Sequence, residues 1–486
     1  MSLGQSRQRA TDRGGPARLT GAWQLTAALM AFLLVVVACG PAAEVTPGGA
    51  PTPDPGMGTP AVPGTPDPGT GTPDPGIGTP DPGTGTPIEP PGEAVTLEFW
   101  NPFTGPDGQF MTQLVDQFNQ EAENVQVNVT TQGEYYTVIR TAAEENSLPH
   151  VAVMHVDAIP AHAADGIIVP IDDLADQLGL AGDDFTPAVW DGGVWQDERY
   201  AIPLDIHTLT FYWNKALFEE AGLDPESPPT DQESFMSAAR AITDNTNAHG
   251  YVQIVTNNFL AGIVWATLFY QGGGELTNAD GTEATYNSQA GIQAAEFMRS
   301  FIAEGISPDG MAGDDEIVAF QQGQSGMVFS GIWETTRYAE ALGDDLGAGP
   351  VPNIFGEGVW AGSHQLVVPR AAADDPNMRQ GAYYFIDWLS RHSFDWAAAG
   401  QIPARASARD DAAFQALEYI SDIGEQADAA RFPPAYPAIS DLIFGANGAG
   451  EAALVVATGG DAQQTFDQSA AQYTQFLQEN KERYGY

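Results

Sequence analysis

The sequence predicts an α/β protein of two lobes, and three observations carry that prediction. Residues 95–154 read strand, helix, strand, helix, strand, the order of a parallel, doubly wound sheet. Residues 197–223 (DERYAIPLDIHTLTFYWNKALFEEAGL) join a β-branched strand to a capped helix, as a crossing from one α/β unit into another would. From Ala94 to Tyr486 the composition is globular, over a length that suits two lobes better than one core.

The chain begins with a different kind of segment. Arg7, Arg9, Arg13 and Arg18 precede an apolar run from Leu25 to Val37, which ends in Val36-Val37-Ala38-Cys39-Gly40. Basic, then apolar, then small residues before a cysteine is the order of a lipoprotein signal peptide. Residues 1–38 are therefore expected to be removed and Cys39 to carry the lipid. The apolar run is short for a membrane span. Cys39 is the single cysteine, which excludes an intramolecular disulfide and a cysteine-rich metal site. Residues 39–93 contain TPDPG repeats starting at Thr52, Thr65, Thr72 and Thr79. Proline fixes φ, glycine loosens the chain and little is apolar, so a disordered tether is expected. The formal net charge is −46, and about −49 without the leader's four arginines and one aspartate. Such acidity argues against nucleic acid or an anionic membrane surface as partner.

Val95 to Trp100 alternates as a strand. Residues 110–118 have helical spacing, 125–131 alternate again, a helix runs to Glu145, and 148–154 form a third strand. In such sheets ligands sit at the carboxyl ends of the strands, which nominates the loops at Phe103, Glu134 and Asp157. Within 200–212, Asp205 and His207 stand two apart and so share one face of a strand. Asn214 suits an N-cap; Leu217, Phe218 and Ala221 recur at helical spacing; Gly222 and Pro225 end the helix. Further helices are expected over 235–242, over 262–270 with Trp265, over 290–303 and over 378–389. A strand from Met327 leads to Trp333, residues 359–369 return toward the first lobe, and two helices follow the Pro-rich 432–437.

These residues carry a resemblance. The run A-I-P-L-x-x-x-x-L-x-F-Y-W-N-K-x-L-F-x-x-A-G-L at 201–223 resembles the first hinge of extracellular solute-binding proteins of the maltose-binding type, the capture subunits of bacterial ABC importers. Leu148-Pro149-His150-Val151, with Asp157 and then 166–171 (GIIVPI), resembles a second motif, with His150 where aspartate is usual. Residues 320–333 (FQQGQSGMVFSGIW) resemble a third, with Gly326 for the usual alanine, and 359–364 (VWAGSH) look like the return crossing. The resemblance implies a type II, maltose-binding-like periplasmic-binding-protein fold. Lobe 1 would comprise 94–206 and 363–415, and lobe 2 would comprise 207–362 and 416–486, with hinge strands between them. It implies a monomer that faces the outside of the cell and docks on permease subunits. It also implies a cleft lined by Phe103, Thr104, Asp157, His207, Trp265 and Trp333, together with Trp360, Gly362 and Tyr436. Glu134 joins from the strand-end reading, Asp205 from the polar pair and His364 from the return crossing.

The chemistry fits capture better than catalysis. No G-x-S-x-G, H-E-x-x-H, P-loop or G-x-G-x-x-G follows a strand. A secreted carbohydrate-active enzyme, with two facing carboxyls, is the alternative; a surface sensor or adhesin is a third. His155-x-Asp157 and Asp205-x-His207 would suit Zn²⁺ or Mn²⁺ if they converged. Hydrogen bonding to ligand hydroxyls is the preferred reading, so no metal and no cofactor is expected. Tyr383-Tyr384 lies within a helix, where neighbours point apart, and reads as core. Tryptophans beside carboxylate and imidazole suit a sugar's apolar face and polar rim. An anion would want an arginine cluster, and only Arg370 and Arg405 stand near motifs. The expected ligand is a neutral saccharide or polyol.

Overall fold

The computed structural model describes residues 86–486 except 257 and 438. The leader, Cys39 and the TPDPG repeats lie outside the described residues. No helix among the described residues is long and apolar enough to cross a membrane.

One sheet has five strands, in the order Val125–Thr131, Val95–Asn101, Val151–His155, His364–Val367 and Ala201–Pro203. The first three are parallel, as expected, and are connected by helices Asp107–Glu121 and Tyr135–Glu145. The alternation of Val95–Asn101 buries Leu97 and Phe99, and Phe99 meets Phe385 of helix Pro376–Arg391 edge-on at 5.1 Å. His364–Val367 is antiparallel to both its neighbours and sets His364 opposite His155. The ordered chain starts earlier than the sequence boundary at residue 93. Ile88 is buried in this core and its amide donates to Asp387 Oδ2 at 2.8 Å. A buried isoleucine does not fit a disordered segment, which corrects the boundary expected at residue 93.

The second sheet has seven strands, built around Asp205–Asn214, every residue of which is buried. Val359–Gly362, Ser325–Gly331, Leu346–Gly349 and Ile402–Pro403 all pair with it. Burial on both faces takes in its polar residues Asp205, His207, Thr208, Thr210 and Asn214 along with its apolar ones. The sequence reads strand, polar pair, strand over 200–212, and the structure has two strands, with the break at Leu204 just before the pair. The chain leaves the first sheet after Pro203 and joins the second at Asp205, and Leu204 between them donates to His364 O at 2.9 Å. The return passes through Ser363, between Val359–Gly362 and His364–Val367. Asn214 caps helix Lys215–Glu220 by accepting from Leu217 N at 3.0 Å, and Gly222, at φ 79°, ends the turn.

Helix Asn258–Gln271 is apolar on every side, and a helix of that kind is buried all round. Trp265 is therefore core rather than cleft. It is wholly buried, stacks on Phe269 at 4.7 Å and Phe466 at 5.6 Å, and donates Nε1–H to Gly291 O at 2.9 Å. The last helix, Ala462–Tyr484, brings Arg483 to Asp165 at 3.1 Å.

Candidate ligand cleft

The two crossings lie side by side, and that adjacency builds the site. Antiparallel register pairs Gly362 with His207 and His364 with His155, so three histidines from three strands converge. Their ring centroids are separated by 4.2 Å (His207–His364), 4.9 Å (His155–His364) and 5.6 Å (His155–His207). Gly362 is required here, because a Cβ on it would sit 2.3 Å from His207 Nε2.

Asp205 organises the cluster from beneath. Its carboxylate accepts from the His364 amide (2.9 Å), His364 Nδ1 (2.7 Å), His207 Nδ1 (3.4 Å) and Trp396 Nε1 (2.7 Å). Burial alone would raise its pKa, but the His364 imidazole and the hydrogen bonds from both rings outweigh burial and hold the carboxyl well below the usual range. An ionised carboxylate only accepts, so both rings turn an Nδ1–H to it and direct Nε2 away from it. Burial, reinforced by the neighbouring His364, lowers His207 to about 4; burial with His364 and His207 lowers His155 well below its ordinary value.

Above this floor opens a cleft of about 390 Å³. Phe103 and Thr104 form one wall, with Phe103 edge-on to His364 at 4.8 Å and Thr104 exposed at the rim. Asn101 fixes that loop by accepting from Phe103 N at 3.1 Å. Opposite stands Trp333, half-buried in the turn after Ser325–Gly331, 5.9 Å from the His207 ring and 6.1 Å from Phe259. Its ring folds over Gly331, where a Cβ would come within 2.1 Å of it. Asp107, Asp314, Glu316 and Glu334 complete the lining, with Arg337 paired to Glu334 at 3.0 Å. Burial pushes Asp107 up to about 6, and Glu316 and Glu334 to about 7.

Phe103, Thr104, His207, Trp333 and His364 thus meet at one cleft, with Asp205 and Gly362 directly behind. The other nominated residues do not line it. Trp360 is buried behind His207, 5.8 Å ring to ring, and its Nε1 finds no hydrogen-bond partner among the described residues. Glu134 is exposed at φ 49°, where it starts helix Tyr135–Glu145. Asp157 faces Ser440 and Asp441 instead, and burial pushes it to about 6. Tyr436 stacks on Tyr486 at 5.1 Å. His155 entered the sequence reading only as half of a metal pair. Asp107, Glu316, Glu334 and Phe259 were missed: carboxylates are plentiful in this chain, and Phe259, 45 % exposed, begins a helix whose composition reads as core throughout.

The model of the family "Bacterial extracellular solute-binding protein" matches residues 104–393. Among curated relatives, the probable amino-acid ABC transporter periplasmic-binding protein y4oP of Sinorhizobium fredii is 26 % identical over 237 residues, 46 % of this chain and 52 % of that protein. The chain thus spans about half the length of that relative. The sn-glycerol-3-phosphate-binding periplasmic protein UgpB of Escherichia coli K12 is 22 % identical over 346 residues, 65 % of this chain and 75 % of its own. Among solved structures, the GacH receptor of Streptomyces glaucescens superposes with a TM-score of 0.70 at 21 % identity, covering 80 % of this chain and 99 % of its own. The maltose-bound MalE3 of T. maritima gives 0.69 at 17 %, covering 79 % and 100 %. The chain therefore belongs to the bacterial extracellular solute-binding proteins, the capture components of ABC importers, and has the two-lobed α/β fold of their maltose-binding type.

Proposed function

We propose that the chain captures a neutral saccharide or polyol between its lobes, held at the membrane by a lipid on Cys39, and delivers it as a monomer to permease subunits. The observation that carries this reading is Trp333, half-buried at the mouth of a cleft whose lining also holds Phe103, Phe259, three imidazoles and four carboxyl groups. A sugar offers an apolar C–H face to such a ring and hydroxyls to such a rim. The carboxyl groups that line the cleft are hydrogen-bond partners for those hydroxyls. The lobes, whose expected boundary at 206/207 moves to Leu204 and of which the second sheet also takes in Ile402–Pro403, would close about the crossings at Leu204 and Ser363.

An anionic ligand suits the cleft poorly. Four carboxyls line it, and Arg337 is already paired with Glu334. A phosphate ester of the kind named for UgpB would want unengaged guanidinium groups. The sugars named with the solved structures, acarbose for GacH and maltose for MalE3, are of the class favoured here. Raised carboxyls are a feature shared with glycoside hydrolases. A thermal-shift panel of saccharides, followed by chromatography of the incubated sugars, tests the reading. A rise in melting temperature with the sugar recovered intact supports capture, whereas cleaved product overturns it. Replacing Cys39 by Ser should move the protein out of the membrane fraction.

A further inference from the structure

We propose that the cleft floor is a binding site for a first-row divalent cation such as Zn²⁺, with the Nε2 atoms of His155, His207 and His364 as its ligands. This goes beyond the saccharide reading and does not depend on it. One ring nitrogen of each of the three histidines lies within 4.8 Å of the other two. A tetrahedral site with metal–nitrogen bonds of about 2.0–2.1 Å separates its ligand nitrogens by about 3.3 Å and its ring centroids by about 5 Å. The centroid separations of 4.2, 4.9 and 5.6 Å bracket that value. The tilted pair His207–His364 has to splay by about 1 Å to meet it.

The hydrogen bonds behind the rings point the same way. A metal-bound imidazole characteristically ties its other nitrogen to a carboxylate or similar group, which fixes the tautomer and the ring's aim. Asp205 does this for His207 and His364. Tyr136 Oη does it for His155, standing 2.7 Å from Nδ1 while it accepts the His155 amide at 2.8 Å. A buried, ionised aspartate beneath two imidazoles is costly to assemble, and a cation above them would complete its compensation. The cleft's acidic lining favours a cation, and Asp107, which lines it, has a buried Oδ1 with no hydrogen-bond partner among the described residues. Three nitrogen donors suit Zn²⁺ or Co²⁺, whereas Ca²⁺ and Mg²⁺ prefer oxygen. The three rings leave a coordination position facing the cleft, where a ligand oxygen would bind.

The test uses the protein stripped with EDTA and titrated with Co²⁺ alone. Saturation at one equivalent, with the visible absorption of tetrahedral Co²⁺ and displacement by Zn²⁺, is expected. His207→Gln and His364→Gln should abolish the band. Tyr136→Phe, which leaves all three ligands in place, should weaken Co²⁺ by about 10–100-fold. Absence of a visible band overturns the proposal, as does a band that persists in both histidine variants, since the ion would then sit on other groups. If a histidine variant fails to fold, Tyr136→Phe decides, and an unchanged affinity there overturns the proposal. Saccharide binding measured in EDTA separates the two readings: binding there without a Co²⁺ site retains the one and removes the other.

Discussion

Replacing Asp205 by Asn is the most informative single change in the hinge. The carboxylate takes four donors: the His364 amide and His207 Nδ1 on Oδ1, and His364 Nδ1 and Trp396 Nε1 on Oδ2. An asparagine offers one acceptor oxygen and turns an NH₂ toward the other pair. His364 can answer by shifting its proton to Nε2, but the Trp396 indole has only a donor and loses its partner. Stranding one buried donor costs about 1–3 kcal/mol, and losing the charge from the remaining bonds adds a similar amount. Removing a buried charge offsets part of this, so the net loss should be about 3 kcal/mol, out of a total stability of about 5–15. With a urea slope of about 3 kcal/mol per molar, the unfolding midpoint should fall by about 1 M. Tryptophan fluorescence in a urea series reads it, with Asp173→Asn, at a half-exposed surface carboxyl, as the control. The folded fraction should also bind its solute more weakly, because the two ring tautomers are no longer fixed. An unchanged midpoint would refute the view that this carboxylate holds the crossing strands together.

Three other predictions are independent of it. Trp333→Ala should weaken ligand binding by about thirtyfold, near 2 kcal/mol, at a stability cost below the roughly 3–5 kcal/mol of a fully buried ring; calorimetry with a urea series on the same sample separates the two. Burial pushes the Glu316 carboxyl up to about 7 in the folded protein, from 4.5 for a free glutamate. Since the folded value is the higher, the native protein loses stability as pH rises from 4.5 through 7, so Glu316→Gln should gain about 1–3 kcal/mol near pH 8 and nothing below about pH 4.5. A chain that begins at Ala94 should melt below one that begins at residue 86, because the buried Ile88 side chain and its bond to Asp387 are lost, about 2–4 kcal/mol; equal melting temperatures would return residues 86–93 to the tether.

What was legible in the sequence follows from period and capping. Val95–Asn101 and Val125–Thr131 alternate because one face is buried, and Asn214 with Gly222 marks a helix by its ends. The two strands are legible around the polar pair, but the break falls at Leu204, before the pair, and full burial on both sides of it leaves no local signal for that position. The polar pair Asp205–His207 was found by its spacing, but its meaning depends on His364 and Trp396, distant in sequence and joined only by register. Trp265 failed as a site residue because position near a motif cannot distinguish a ring that faces a cleft from one that faces a core. Helix Asn258–Gln271 buries Trp265 and exposes Phe259, six residues earlier. Ile88 was overlooked because a single apolar residue in a Pro/Gly-rich stretch carries no period.

Calorimetric titration of the wild-type protein tests most directly whether this cleft takes a neutral saccharide. The saccharide that gives the largest thermal shift and sn-glycerol 3-phosphate should be titrated side by side. The account predicts one-to-one binding of the saccharide with a dissociation constant near about 1 μM, roughly −8 kcal/mol, and no measurable heat from the phosphate ester. Tight binding of the phosphate ester with none of the saccharide would contradict it.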